Sequence, residues 1–151
     1  MPDIPGNTST TSVITGTGAF TSALETSGDS DWWRVTLVAG RTYDFTFSGD
    51  GSATSLDDAN FYILDSLGAT LDSGYTYSGG PVVLSLTAAT SGTYYIAVSD
   101  GSSDSQPEGN YVIRARMNDL LPNDNSTTGV VVNGMTSGAL ETSGDADRYK
   151  V

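Results

Sequence analysis

The stretch GDSDWWRVTLVAGRTYDF, residues 28–45, decides the fold class of this chain. Every second residue from Trp33 to Leu37 is apolar, and a period of two places such residues on one face of a β-strand. An Ala-Gly pair then predicts a turn, after which Tyr43–Phe47 carries a second alternating row. The stretch therefore predicts two consecutive strands, with Trp32 on the outer face of the first.

The same alternation recurs along the chain between turns rich in Gly, Asp and Ser. Helical periodicity is weak, and the density of Ser, Thr and Gly disfavours helices. Short, regularly spaced segments of this kind predict an all-β protein, an antiparallel jelly-roll-like β-sandwich of about eight strands. The residues expected to face the core in the later rows are Phe61, Ile63, Val82, Leu84, Leu86, Tyr94, Ile96, Val98, Tyr111, Ile113, Ala115 and Met117.

An internal repeat divides the chain. Residues 23–31, ALETSGDSD, recur 116 residues later as ALETSGDAD, with eight of the nine positions identical. Residues 1–118 are therefore predicted to form one complete sandwich, and residues 119–151 to be the N-terminal part of a second tandem copy. A fragment of that size cannot bury a core by itself. It is expected to fray, to pack on the first unit, or to complete a neighbouring chain as a strand-swapped dimer.

The composition excludes several classes of function. The chain has 151 residues, 18 acidic against 6 basic side chains, a formal net charge of −12, and neither Cys nor His. Disulfides, zinc sites built from thiolates or imidazoles, and Ser-His-Asp triads are therefore impossible within it. An acidic chain without a Lys/Arg cluster is not expected to bind nucleic acid, and no apolar run approaches the ~20 residues of a membrane span. Asp, the usual loop ligand of calcium, outnumbers Glu, which favours a secreted, extracellular setting.

Four motifs together resemble the bacterial pre-peptidase C-terminal (PPC) domain, over essentially all of residues 1–118. They are the opening stretch at 28–45, FYILDSLG at 61–68, SGTYYIAV at 91–98 and GNYVI at 109–113. The resemblance implies a non-catalytic β-sandwich attached to secreted bacterial peptidases, notably serralysin-like metalloproteases, or carried by repetitive exoproteins. Collagen-binding domains of bacterial collagenases are similar in fold and bind calcium where the N-terminal linker meets the first sheet. The chain departs from the family after Leu71, where DSG stands in place of an Asn-Asp-Asp run.

Three acids lie within seven residues at the start of the strand that carries Trp33. Glu25, Asp29 and Asp31 can point into one loop concavity, and calcium takes roughly six to eight oxygen ligands. The family resemblance implies that Asp3 and Asn7 of the preceding linker complete the shell, so Ca²⁺ is the expected cofactor. The alternative is a polar turn whose carboxylates cap backbone amides. The corresponding residues of the second copy are Glu141, Asp145 and Asp147, with Asp124 aligned to Asn7.

Three aromatic side chains are candidate ligand contacts. Trp32 faces outward, and Tyr75 and Tyr77 lie in a segment flanked by glycines, so each could stack on a sugar ring or simply cover a neighbouring loop or strand. Only three Glu occur, two of them repeat equivalents, and nothing predicts a groove between paired carboxyls, so the domain is not expected to be an enzyme.

Three functions remain open from the sequence. They are a calcium-binding accessory module of a secreted protease, a carbohydrate- or collagen-binding module, and a structural spacer repeat of a large extracellular adhesin. The partners that these functions imply are an extracellular polysaccharide or protein and the neighbouring domains of the same chain.

Overall fold

The computed structural model describes residues 3–101 and 108–118, and these residues fold into nine β-strands. Eight of the strands have six to ten residues, whereas β1 has two. Within the described residues, no helix is long and apolar enough to cross a membrane. The strands are β1 (Val13–Ile14), β2 (Gly18–Leu24), β3 (Ser30–Leu37), β4 (Thr42–Gly49), β5 (Ala59–Leu64), β6 (Thr70–Thr76), β7 (Val82–Thr87), β8 (Gly92–Asp100) and β9 (Gly109–Asn118).

The strands form two sheets that pack as a sandwich. The five-stranded sheet has the order β1-β3-β8-β5-β6, and the four-stranded sheet has the order β2-β9-β4-β7. All pairs are antiparallel except β1 and β3, where the Arg34 N–H donates to the Ser12 carbonyl at 2.9 Å. The prediction of an all-β sandwich is confirmed. The described strands number nine rather than about eight because β1 is a two-residue ladder within the N-terminal linker.

The core lies between the sheets and consists of the rows that the alternation predicts. The inward residues of β3, β4, β5 and β8 are all buried, as are those of β9 from Tyr111 to Ala115. Phe47 of β4 stacks on Phe61 of the other sheet, with ring centroids 5.5 Å apart. In the edge strand β7 only Leu84 is buried. Val82 and Leu86, which share its face of the strand, are partly buried and pack against the core. Each buried Phe or Leu contributes about 1.5–3 kcal/mol of hydrophobic stabilisation.

The described part of the chain corresponds to the first predicted unit. Its last strand, β9, ends at Asn118, where the sequence repeat divides the chain. The second tandem copy at 119–151 lies outside the described residues, and so do its acids and the strand-swapped dimer predicted from that segment. The side chain of Met117, expected in the core, also lies outside the part that the structure describes.

Candidate metal centre

The turn between β2 and β3 positions three of the predicted acids. It is closed by the Asp29 N–H, which donates to the Thr26 carbonyl at 3.1 Å. Gly28 has a left-handed backbone conformation in this turn (φ 83°), which a residue without a Cβ adopts at little cost. Glu25 therefore directly follows β2, and Asp29 directly precedes β3.

Asp31 faces the protein interior because it shares the alternation of Trp33 within β3. It has no solvent-exposed surface (0%), and a buried carboxylate costs free energy unless it has partners. The Tyr111 hydroxyl donates a hydrogen bond of 2.5 Å to Asp31 Oδ2 and accepts one of 2.9 Å from Trp33 Nε1. The sequence pattern does not mark Tyr111 as a site residue, because Tyr111 comes from β9 in the other sheet, 80 residues after Asp31.

The N-terminal linker brings a fourth acid to this turn. Ile4 is 7% exposed and belongs to the main core, so the start of the linker is held against the sandwich. Gly6 packs directly on the start of β3, where an added Cβ would clash with the Ser30 carbonyl oxygen. Further along, the Thr8 carbonyl accepts a hydrogen bond of 3.3 Å from the Tyr95 hydroxyl. Docking of the linker on β3 and β8 explains how Asp3 reaches acids more than twenty residues away in sequence.

Four carboxylates converge at this position. Asp3, Glu25, Asp29 and Asp31 each contribute one oxygen, and the four oxygens all lie within 4.8 Å of one another. Two negative charges at this separation repel by about 3 kcal/mol at an effective dielectric constant of ~20, and by less where solvent reaches the exposed Asp3. The fully ionised cluster therefore destabilises the fold unless protons or a cation reduce its charge.

The carboxylate oxygens of the cluster differ in their hydrogen bonding. Asp29 Oδ2 accepts from the Glu25 N–H at 3.0 Å and Asp29 Oδ1 accepts from the Ser30 N–H at 2.7 Å, as the polar-turn interpretation requires. Both Oε atoms of Glu25 and Oδ1 of Asp31 are buried and have no hydrogen-bond partner within the described residues. The turn therefore accounts for Asp29 but leaves three carboxylate oxygens of its neighbours unused.

The environment of the cluster changes the acidity of two of its members. The pKa of Asp31 is raised to about 7, and burial of the carboxyl group is the main cause. The negative charges of Asp29 and Glu25 also raise this pKa, whereas the hydrogen bond from Tyr111 lowers it. Burial also raises the pKa of Glu25, and the neighbouring Asp29 and Asp3 add to this effect. Both shifts reflect the cost of placing negative charge here without a compensating positive charge.

The donor set of the cluster fits a hard divalent cation. It offers only oxygen, from carboxylates that lie close enough to share one ion, and calcium is bound by such ligands in flexible arrangements. Asn7, the remaining predicted ligand, lies exposed in the linker, and its Oδ1 accepts from the Ser9 N–H at 2.9 Å.

The predicted ligand-contact aromatics lie away from the carboxylates. Trp32 is half-buried on the outer face of the five-stranded sheet, with its ring centroid 5.5 Å from that of Tyr95. The rings of Tyr75 and Tyr77, near the end of β6, contact each other edge to face, with their centroids 4.3 Å apart, and Tyr77 is 81% exposed. The structure thus separates these candidates into two places.

Comparisons with known proteins give a family and a fold. Residues 29–100 match the family model of the bacterial pre-peptidase C-terminal domain. No curated protein sequence gives a significant match. The solved structure of PliG, a periplasmic lysozyme inhibitor of g-type lysozyme from Aeromonas hydrophila, has a TM-score of 0.52 at 14% identity, covering 71% of this chain and 95% of its own.

Two further solved structures have lower scores. PliG of Salmonella Typhimurium has a TM-score of 0.47 at 15% identity and covers 72% of this chain and 100% of its own. The pre-peptidase C-terminal domain of collagenase from Bacillus anthracis has a TM-score of 0.46 at 12% identity, covering 70% of this chain and 93% of its own. The likeness to the Aeromonas structure is one of fold.

Proposed function

We propose that this chain, whose residues 29–100 belong to the bacterial pre-peptidase C-terminal domain family, is a calcium-binding accessory module of a secreted bacterial protease. The family match confirms the resemblance found in the sequence. The PPC domain is a non-catalytic accessory domain found in secreted proteins, so the domain itself is not an enzyme. Calcium binding, the protease context and the extracellular location are the parts that we add.

The observation that carries the calcium proposal is the buried, partly unpartnered Asp31. A turn that only caps backbone amides needs no carboxylate at a fully buried position, where an uncompensated charge costs several kcal/mol. Oδ1 of Asp31 and both oxygens of Glu25 lack hydrogen-bond partners within the described residues, and each of these two residues contributes one oxygen to the converging set. A divalent cation would offset the charge of all four carboxylates together, with its remaining ligands coming from backbone carbonyls, Asn7 or water.

The residues of the site imply what calcium does for the module. Asp3 comes from the linker that precedes β1, whereas the other three carboxylates belong to the β2–β3 turn and to β3. Joining them fixes the linker on the sandwich beside the buried Ile4. Calcium would therefore stabilise the module and set its direction relative to whatever precedes it in the chain, which is a mechanical role rather than a chemical one.

The internal repeat provides independent support. Glu25, Asp29 and Asp31 recur at a spacing of 116 residues, although the serine between the last two becomes alanine and Trp32 becomes Arg148. An acid, Asp119, also stands 116 residues after Asp3, while the linker between them is aligned at 117 residues, as for Asn7 and Asp124. A simple turn would not require the distant Asp3 to recur together with the turn acids. The equivalent residues, which lie outside the described part of the chain, are Asp119, Glu141, Asp145 and Asp147.

Thermal unfolding with calcium and with a chelator tests the proposal. A ligand at a hundredfold excess over its Kd stabilises the native state by about 2.7 kcal/mol, so calcium should raise Tm by several degrees. Glu25→Gln, which keeps the shape of the side chain, should remove most of this rise. Glu108→Gln, an equal change of charge at an exposed position, should leave it intact.

A third variant, Glu141→Gln, measures how much of the calcium effect belongs to the second copy. We expect it to have a smaller effect than Glu25→Gln. Melting curves that coincide with and without calcium would refute the cation site. A calcium shift that survives Glu25→Gln combined with Asp31→Asn and Glu141→Gln would refute the assignment of its ligands.

A further inference from the structure

The outer face of the five-stranded sheet carries a cleft between two aromatic rings. Trp32 of β3 and Tyr62 of β5 lie opposite the same residue of β8, Ala97, so the three form one row across the sheet. With two strand spacings of about 4.8 Å between them, the backbones beneath the two rings are roughly 10 Å apart. Ala97 lies beneath the two rings, which pack against it and leave it only 2% exposed. We call this space, which Ser30 and Thr70 also line, the Trp32–Tyr62 cleft.

The Trp32 wall of the Trp32–Tyr62 cleft is held in place by its surroundings. The Trp32 ring packs against Tyr95, whose hydroxyl is hydrogen-bonded to the linker carbonyl of Thr8. On its other side the ring edge meets the β5–β6 turn, where a Cβ added to Gly68 would lie 2.9 Å from Trp32 Cη2. Rigid aromatic walls lose little conformational entropy on binding a ligand.

The size and chemistry of the cleft restrict its ligand. Its volume is about 220 Å³, below the roughly 300–1,000 Å³ of pockets that enclose drug-sized molecules, so it suits a single ring. Its lining contains no charged side chain, in a chain of net charge −12, which disfavours anions. Three hydroxyl-bearing residues, Ser30, Tyr62 and Thr70, are among those that line it.

The position of the cleft within the sheet argues against a peptide as the ligand. Extended peptides gain affinity by pairing their backbone with a free sheet edge. The cleft instead lies over β3, β8 and β5, and β8 is paired along both sides. An aromatic pair ringed by hydroxyls offers stacking to the C–H face of a pyranose and hydrogen bonds to its hydroxyls.

We propose that the Trp32–Tyr62 cleft binds one uncharged pyranose ring of a neutral glycan. The proposal is independent of the cation site, and its test is carried out at saturating calcium so that the two can fail separately. The probes are a panel of neutral polysaccharides (cellulose derivatives, β-1,3-glucan, xylan and soluble chitin) in affinity electrophoresis, with alginate as the anionic contrast and gelatin as the polypeptide contrast.

We expect retardation by at least one neutral polysaccharide and none by alginate. Trp32→Ala should weaken it at least about tenfold, because stacking is lost, and Tyr62→Phe by a few fold. Tyr77→Ala, an exposed aromatic outside the cleft, should leave it unchanged. If Trp32→Ala unfolds in a melting control, Thr70→Arg at the exposed rim fills the cleft without touching the core and should abolish binding.

Three results would overturn the proposal. The first is the absence of retardation by every neutral polysaccharide of the panel. The second is retardation that survives Thr70→Arg or is lost equally with Tyr77→Ala. The third is gelatin binding that depends on Trp32 without any binding of glycan, which would assign the cleft to a polypeptide.

Discussion

Replacing Asp31 by Asn gives the sharpest test of the electrostatics of the carboxylate cluster. The change removes a charge from a fully buried position and keeps both the shape of the side chain and an oxygen for the Tyr111 hydroxyl. In the native state burial raises the pKa of Asp31 from 3.8 to about 7. Between these pH values the native protein holds more protons than the unfolded chain, so without calcium its free energy of unfolding falls as the pH rises and levels off above pH 7.

The size of the effect follows from the two pKa values. A difference of about three between native and unfolded pKa corresponds to about 4 kcal/mol across the window. For a domain of this size that amounts to a change in Tm on the order of 10 °C. The raised pKa of Glu25 acts in the same direction. Asp31→Asn should remove most of this pH dependence and should make the calcium-free protein more stable than the wild type at pH 8.

The assay is thermal unfolding by circular dichroism in chelator, at several values between pH 5 and pH 8, repeated in calcium. Calcium requires ionised ligands, so its stabilising effect on the wild type should be larger at pH 8 than at pH 5 and small in Asp31→Asn at either pH. Asp72→Asn, which changes an acid outside the cluster, is the matched control. A calcium-free wild type that is more stable at pH 8 than at pH 5, or a variant destabilised at pH 8, would contradict the reasoning.

Three further predictions concern stability, each measured by urea unfolding in calcium. Tyr111→Phe should cost about 2–4 kcal/mol because two buried hydrogen bonds are lost, and a cost below 1 kcal/mol would show that these bonds contribute little. Phe47→Ala should cost about 3–5 kcal/mol with an unchanged m-value, as a cavity in the core does. Gly68→Ala and Gly51→Ala both replace a glycine with a left-handed backbone, but only the Cβ at position 68 would contact the Trp32 ring. Gly68→Ala should therefore lower the free energy of unfolding by about 1–2 kcal/mol more than Gly51→Ala. Equal costs would mean that the Trp32 ring moves aside to accommodate the new methyl group.

The fold was largely predictable because local alternation and global burial agree. From Trp33 to Leu37 and from Tyr43 to Phe47, the residues that share an alternation are the ones that the two sheets enclose. The linker was not predictable in this way. Ile4 enters the core and β1 forms only when Arg34 lies opposite Val13, and such contacts between distant residues leave no periodic signal.

The outer-face cleft was only partly predictable. Parity alone places Trp32 on the outer face, but its neighbours across the sheet depend on strand order, which the sequence pattern does not contain. Tyr62 and Tyr95 come beside Trp32 because β8 lies between β3 and β5. The Gly68 turn, by contrast, was recognised in the sequence as the end of a strand, without any indication that it contacts an aromatic ring of another strand.

The carboxylate cluster contains one feature that the local sequence predicts and others that depend on distant contacts, and this contrast bears on its function. Extending the alternation of β3 back from Trp33 places Asp31 in the hydrophobic row, so the sequence already contains a buried carboxylate that requires compensation. Part of that compensation comes from Tyr111 in the other sheet, whose hydroxyl donates a hydrogen bond to one of the two Asp31 oxygens. The other oxygen has no hydrogen-bond partner in the described residues, and Asp31 lies within the cluster formed with Asp3, Glu25 and Asp29. One hydroxyl cannot balance several negative charges at this distance, and this deficit is the physical reason to expect a cation there.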